Sequence, residues 1–195
     1  MSKFPPAVFA CILLPVVLAA GCRSSTTIPN SPPQRFALRY DADNANAPNL
    51  PAATYEAAAR FPAAQITALA GGVLVEVEFY IQFLPTSATL KVYDAGTSTS
   101  PGALLYSADV TASVTQTAWT THVLATPVAI AGGDLWIAIE FTHAVSQRVI
   151  GCDPGPAVPD GDWLYSSADG MWTPFNQRYP FSVNWNIRGI VEKTN

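Results

Sequence analysis

Charged residues are scarce in this chain. Of 195 residues, 10 are Lys or Arg and 14 are Asp or Glu, so the formal net charge is −4. The sequence contains no basic stripe that could meet a phosphate backbone, and nucleic acid is therefore not an expected partner. Hydrophobic residues make up 49% of the chain, which excludes a disordered tail protein. The length is sufficient for one domain with a sizeable core.

Cysteine and histidine are scarcer still, with three and two residues. His122 and His143 have no Cys or His neighbour at zinc-ligand spacing, and we expect both at the surface or at the rim of a sheet. The sequence has no nucleophile elbow, phosphate-binding loop or dinucleotide fingerprint. Cys152 lacks an adjacent His, which favours a buried inert thiol over a nucleophile. These absences predict a protein that is not an enzyme.

The first 21 residues predict a signal peptide. Lys3 gives a positive start, "AVFACILLPVVLAA" (Ala7–Ala20) is apolar and uncharged, and "LAAGC" ends at Cys22. This segment resembles a bacterial lipoprotein signal, in which cleavage before Cys22 leaves a thiol for lipidation. An ordinary secretory signal is the alternative. Two acyl chains anchor stably because each buried CH₂ contributes ~0.8 kcal/mol. We expect a lipid-anchored protein of the cell envelope, and resemblance to outer-membrane lipoproteins favours the outer membrane.

Processing of this kind leaves Cys152 as the only free thiol, because Cys11 departs with the signal. No internal disulfide is then possible, and packing alone must hold the fold. Residues 22–35 are rich in Ser, Thr and Pro and predict a flexible tether. The folded domain is predicted over residues 36–192.

Strand patterns dominate that domain. "VLVEVEFYIQF" (Val73–Phe83) places valines, Phe79 and Ile81 on one face and Glu76 and Glu78 on the other, a period of two. Turn signals such as "GG" and "GTSTSPG" separate further short strands. Only "AAQITAL" (Ala63–Leu69) suggests a helical turn. Many short strands at regular spacing predict an all-β fold, a jelly-roll β-sandwich.

Six fragments carry a family resemblance. "AAARFPAAQI", "VEVEFYI", "LKVYDAGTSTSPGALLY", "PVAIAGGDLWIAIEF", "GCDPGPAVPDGDW" and "NWNIRG" follow one another in this order. The series resembles the jelly-roll modules of the gingipain cleaved-adhesin type over nearly all of the predicted domain. The resemblance implies a galactose-binding-like jelly roll with a non-catalytic adhesion or accessory role, and some such modules bind calcium. This chain carries no peptidase.

Aromatic residues are concentrated late in the chain. Trp136 and Trp185 lie in regular strand patterns, so we expect them in the core. Trp163, Tyr165 and Trp172 lie in poorly patterned sequence. They predict either a second small hydrophobic cluster or a platform for a sugar or protein ligand, because aromatic faces bind sugar C–H surfaces and a few polar groups fix the orientation.

The loop "DPGPAVPDGDW" (Asp153–Trp163) contributes three acids beside these aromatics. Its prolines exclude a central strand, since proline cannot donate to a sheet. Asp160 and Asp162 are expected to cap turns with the loop's own backbone. Alternatively, Asp153, Asp160 and Asp162 converge on a structural Ca²⁺, which takes 6–8 oxygen ligands.

Two other functions stay open from the sequence. Glu76 and Glu78 share a strand face, roughly 7 Å apart by strand rise, which permits a small surface glycoside hydrolase. A purely structural envelope subunit is the other alternative. The sequence favours a non-catalytic adhesion or carbohydrate- or protein-binding domain.

Overall fold

The computed structural model describes residues 32–194, and their elements are mostly strands. The strands are β1 (Gln34–Leu38), β2 (Ala53–Phe61), β3 (Val73–Ile81), β4 (Ser87–Tyr93), β5 (Leu104–Asp109), β6 (Ala118–Ala129), β7 (Leu135–His143), β8 (Trp163–Ser166), β9 (Met171–Pro174) and β10 (Ile187–Lys193). Two short helices, α1 (Ala63–Ile66) and α2 (Phe175–Arg178), and a 3-10 turn (Thr67–Leu69) complete them. The predicted signal peptide and Cys22 lie outside the described residues, as does most of the predicted tether.

The strands form two antiparallel sheets. One has four strands in the order β1-β10-β3-β6, and the other has six in the order β5-β4-β7-β2-β8-β9. Their inward faces bury one main hydrophobic core, to which both sheets contribute. This arrangement confirms the predicted all-β sandwich. Among residues 32–194 no helix has the length and apolar character needed to cross a membrane.

Alternating apolar residues explain why these segments are strands. In β7, Ile137, Ile139 and Phe141 point into the core and are fully buried. Burial of each such side chain stabilises the fold by about 1.5–3 kcal/mol relative to leaving it exposed. Trp185 is 1% exposed in the same core, which confirms its predicted position. The helical turn expected over Ala63–Leu69 is also confirmed.

Strand β3 departs from its simple alternation. Val77, Phe79 and Ile81 are buried as expected, but at the start of the strand Leu74 is buried while Val73 and Val75 are only half-buried. The cause is a bulge: the register with β6 shifts between Leu74 and Glu76. An extra residue reverses the alternation on one side of the bulge.

Two expectations need correction. His143 was expected at the surface or rim, yet it is 2% exposed. Its ring stacks on Tyr55 with centroids 5.6 Å apart, and its Nδ1 hydrogen-bonds to the Val145 carbonyl oxygen at 2.7 Å. The regular strand pattern around Trp185 is also wrong in extent: β10 begins only at Ile187, because the backbone N–H groups of Trp185 and Asn186 donate to the carbonyl oxygens of Gly161 and Gly151 in a loop. His122 is half-buried beside the Tyr106 hydroxyl, 2.8 Å from its Nε2.

Candidate functional site

The outward face of the six-stranded sheet carries a continuous row of polar and aromatic side chains. Strand register aligns Thr89, Glu140, Glu56, Tyr165 and Trp172 side by side across β4, β7, β2, β8 and β9. We call these five residues the transverse row. Neighbouring strands lie about 4.8 Å apart, so the row spans roughly 19 Å. It is long enough to contact an extended ligand that crosses the strands.

Small residues lie next to the row. Ala58 and Ala138 point outward on adjacent strands, and large aromatic side chains cover them completely. Trp136 and Trp163 form this cover, with ring centroids 5.2 Å apart. Trp163 is only 6% exposed, so it packs within a second hydrophobic cluster. The sequence had allowed either this second cluster or a ligand platform for Trp163.

The other two predicted platform residues are more accessible. Tyr165 and Trp172 are half-buried, and their rings lie 5.7 Å apart. Trp172 also packs edge-on against Trp136 at 5.7 Å. The buried cluster therefore supports the Trp172 ring, and Trp172 in turn contacts Tyr165. Together they present a fixed aromatic edge at one end of the transverse row.

The two carboxylates in the middle of the row share the ammonium group of Lys91, which lies beside the row. Lys91 Nζ donates to Glu56 Oε1 at 2.9 Å and to Glu140 Oε2 at 2.6 Å, and the Tyr93 hydroxyl donates to Glu56 Oε2 at 2.7 Å. Two carboxylates and one ammonium leave a local charge of −1. Within residues 32–194, no hydrogen bond occupies Glu140 Oε1. That oxygen is available to accept a hydrogen bond from a ligand.

The pKa shifts in this group follow from its contacts. Burial alone would lower the pKa of Lys91, but the bonds to Glu140 and Glu56 outweigh it and raise the pKa. Burial raises the pKa of Tyr93, and its hydrogen bond to Glu56 raises it further. Lys91 is thus held charged and Tyr93 is held neutral, and both act as donors. Both residues therefore keep their protons across the neutral range.

An ion network lies on the outward face of the six-stranded sheet, beside the Trp136 and Trp163 cluster. Arg60 contacts Asp134 at 2.7 Å and Asp160 at 2.8 Å, and its guanidinium lies 5.8 Å from the centre of a Trp136 ring. Trp163 Nε1 donates to Asp160 at 3.2 Å. Asp160 thereby joins the loop to the sheet instead of capping a turn with its own backbone.

The other two loop acids also have partners within the protein. Asp153 accepts hydrogen bonds from the backbone N–H groups of Asn184 (2.8 Å), Gly155 (2.9 Å) and Ala42 (3.2 Å). Asp162 accepts from the Asn176 N–H at 3.0 Å, at the start of α2. The region 32–194 contains no group of three or more His, Cys, Asp or Glu side chains that could hold a metal ion.

The strand acids Glu76 and Glu78 lie on the outward face of the other sheet. Glu76 forms an ion pair with Arg35 at 2.9 Å. Glu78 lies opposite Arg188 and Thr121 in the strand register. Cys152 is buried, and burial followed by the nearby Asp153 charge raises the pKa of its thiol to about 12, as an inert thiol requires.

The sequence did not reveal the two carboxylates of the row or the lysine that they share. Glu56, Lys91 and Glu140 are charges within largely apolar strand sequences, in "TYEAAARF", "TLKVYD" and "WIAIEF", of which the first also contains Arg60 and the second Asp94. That pattern was the available signal, since a charge in a buried strand needs a partner on a neighbouring strand. The pairing of the strands, which the sequence alone does not give, brings them together.

Fold and site define an all-β sandwich with an aromatic and acidic outward face. No family model and no curated protein match the chain. It is similar in structure to a Clostridial cysteine protease, Cwp84 after propeptide cleavage, with a TM-score of 0.57 and 13% identity. The match covers 82% of this chain and 40% of the protease, so this chain spans less than half of that protein. At this identity the likeness shows the fold alone.

Proposed function

We propose that this chain is a lipid-anchored cell-envelope protein whose β-sandwich is a non-catalytic carbohydrate-binding domain. The single observation that supports the proposal is the transverse row, in which Tyr165 and Trp172 share a face with Glu56 and with Glu140, whose Oε1 has no partner within residues 32–194 and is free to accept a hydrogen bond. The resemblance to cleaved-adhesin modules belongs to the same proposal. In this proposal the sheet supplies rigidity, and the lipid on Cys22 supplies location.

The chemistry of the row suits a sugar. A sugar ring has an apolar C–H face, which stacks on an aromatic ring, and hydroxyl groups at its rim, which donate to carboxylates. Trp172 offers the first contact and Glu140 Oε1 the second. Thr89 adds a hydroxyl at the other end. Adjacent strands hold all of these groups, so little ordering is needed when a ligand binds.

Pre-organisation also favours binding over catalysis. General acid–base work needs a carboxyl group that can exchange a proton with its substrate. Glu56 is 8% exposed, and Lys91 and Tyr93 occupy its two oxygens. The Glu56 carboxylate therefore holds Lys91 and Tyr93 in place. Of the two carboxylates in the transverse row, only Glu140 keeps an oxygen free for a ligand in the part of the chain that the structure describes.

An oligosaccharide array tests the proposal. The full chain in detergent micelles is applied to neutral and acidic oligosaccharides, and each bound compound is afterwards incubated with the protein and analysed for cleavage. We expect binding without turnover. Turnover that is lost in Glu76→Gln would instead establish the hydrolase alternative, and absence of binding to any glycan would reject the carbohydrate proposal.

A further inference from the structure

A groove of about 680 Å³ lies between three loop segments, residues 45–49, 148–154 and 180–183. It shares no residue with the transverse row. Its volume falls within the range of about 300–1,000 Å³ typical of small-ligand sites. The groove is therefore a candidate for a second, independent binding site.

Hydrogen bonds hold its walls in place. Asn46 and Cys152 pair through their backbones, with Cys152 N donating to Asn46 O at 2.8 Å and Asn46 N donating to Cys152 O at 3.2 Å. The backbone N–H of Asn184 donates to the Asp153 carboxylate at 2.8 Å and holds the same wall. Prolines 48, 154 and 180 line the groove and fix φ at three places. The groove is preformed, so a ligand need not order it.

Arg148 gives the groove its charge. The residue is exposed, and its guanidinium donates one hydrogen bond, to Asn46 Oδ1 at 3.2 Å. Within residues 32–194, no carboxylate forms an ion pair with Arg148, whereas Arg35, Arg60, Lys91, Arg178 and Arg188 all have such partners. Asp153 in the groove wall is 4% exposed and is surrounded by N–H donors. Arg148 therefore lines the groove without a described carboxylate paired to it, and the wall acid, Asp153, is engaged by N–H donors.

Phe181 supplies an aromatic wall beside this charge. Phe181 is 60% exposed, which is unusual for phenylalanine. Phe175 lies behind it, nearly parallel, with ring centroids 6.5 Å apart. Asn46 and Asn49 add side-chain amides that donate and accept hydrogen bonds. The groove thus combines a guanidinium fork, an aromatic face and two amides.

We propose that this groove binds a uronic acid residue of an acidic glycan. The Arg148 guanidinium contacts the sugar carboxylate, in the planar geometry that arginine favours. Phe181 packs against the ring, and the asparagine amides bind its hydroxyls. A peptide fits less well, because the backbone N–H groups of residues 45, 46 and 47 already donate within the protein and leave no strand edge to pair with.

Nuclear magnetic resonance titration of the isotope-labelled full chain tests the assignment, with sodium glucuronate as the probe. We expect saturating shifts at Asn46 and Ser182, which glucose and sodium chloride at equal concentration do not reproduce. Arg148→Gln should weaken glucuronate binding at least about tenfold, the usual loss for a charged hydrogen bond. Arg148→Lys should lie between Gln and wild type, because it keeps the charge but loses the fork.

Arg39→Gln is the matched control. Arg39 is also exposed and without an ion pair among the described residues, but it does not line the groove. Its replacement should leave glucuronate binding unchanged. Equal shifts with glucose, undiminished binding by Arg148→Gln, or no saturating shift at these residues would each overturn the proposal. The row is tested separately, so either site can fail alone.

Discussion

Trp185 is the side chain on which packing between the sheets depends most visibly. It is 1% exposed, its ring centroid lies 5.0 Å from that of Phe175, and its Nε1 donates to the Trp163 carbonyl oxygen at 2.8 Å. Trp185→Ala should lower the free energy of unfolding by about 3–5 kcal/mol. Denaturant titration measures this loss, with Phe181→Ala as an exposed aromatic control. Equal midpoints for wild type and Trp185→Ala would contradict the account.

Asp153 makes stability depend on pH in a defined direction. Burial alone would raise its pKa, but hydrogen bonds from Asn184, Gly155 and Ala42 outweigh burial and hold the pKa below the ordinary 3.8. A lowered carboxyl pKa contributes stability that is present above the unfolded-state pKa and is lost as pH falls through the folded-state pKa. Asp153→Asn should therefore destabilise the protein at neutral pH, by about 1–3 kcal/mol for the donors left unpaired.

The difference between wild type and Asp153→Asn should shrink as the pH of the unfolding experiment falls below 3.8. A difference that is constant with pH would show that the carboxylate charge is not the cause.

Asp162 in the same loop should show the opposite slope. Burial raises its pKa above 3.8, and only the Asn176 N–H is a close backbone donor from another residue. A raised carboxyl pKa gives stability that is present below the unfolded-state pKa and is lost as pH rises through the folded-state pKa. Asp162→Asn should remove this loss, so the variant should gain on wild type as pH rises from 3.8. An unchanged difference across that range would contradict the assignment.

At the residue scale, the sequence predicts burial better than partnership. Trp136 and Trp185 are both buried as expected, although Trp136 lies on the outward face of its sheet within the second hydrophobic cluster. The partners of Asp160 were not predictable. Arg60 lies a hundred residues away from it in sequence, and only the pairing of β2 with β8 brings the loop beside it.

At the scale of elements, the loop from Asp153 to Asp162 requires glycine at position 155. Gly155 has φ of +74°, and an added Cβ would lie 2.0 Å from the Ser182 carbonyl oxygen. Gly170, in the β8–β9 turn, has φ of +68° but no atom within 4 Å of the same position. Gly170→Ala should cost roughly 1–2 kcal/mol for left-handed backbone alone. Gly155→Ala should cost clearly more, because the backbone must also move.

Thermal unfolding of both glycine variants measures this difference. Equal losses for Gly155→Ala and Gly170→Ala would show that the contact with Ser182 does not constrain the loop.

The sequence missed β8, β9 and α2 for a physical reason. Both strands have only four residues, which is too few for alternation to be recognised, and β9 ends in Pro174. Proline is tolerated there because β9 lies at the edge of the six-stranded sheet. Since Trp172 belongs to β9 and Tyr165 to β8, the aromatic end of the row could be suspected from composition but not positioned.

At the scale of the whole molecule, the proposed envelope location depends on Cys22. Cys22→Ser should release the protein from membranes or leave the signal uncleaved, because the thiol that would carry the lipid is lost. Membrane fractionation with mass measurement of the N-terminus checks this. Cleaved, membrane-bound Cys22→Ser protein would contradict lipid anchoring and favour another form of attachment.

The central claim is that a glycan lies along the transverse row. The most direct measurement is calorimetric affinity for the strongest glycan found on the array, with wild type, Trp172→Ala and Trp119→Ala. Trp119 is 37% exposed on the outward face of the other sheet, so it controls for loss of an accessible tryptophan. Trp172→Ala should weaken binding by tenfold or more, since truncation of an aromatic anchor costs ~2 kcal/mol or more. Trp119→Ala should bind as wild type does. Unchanged affinity in a folded Trp172→Ala variant, or a loss confined to Trp119→Ala, would contradict the claim.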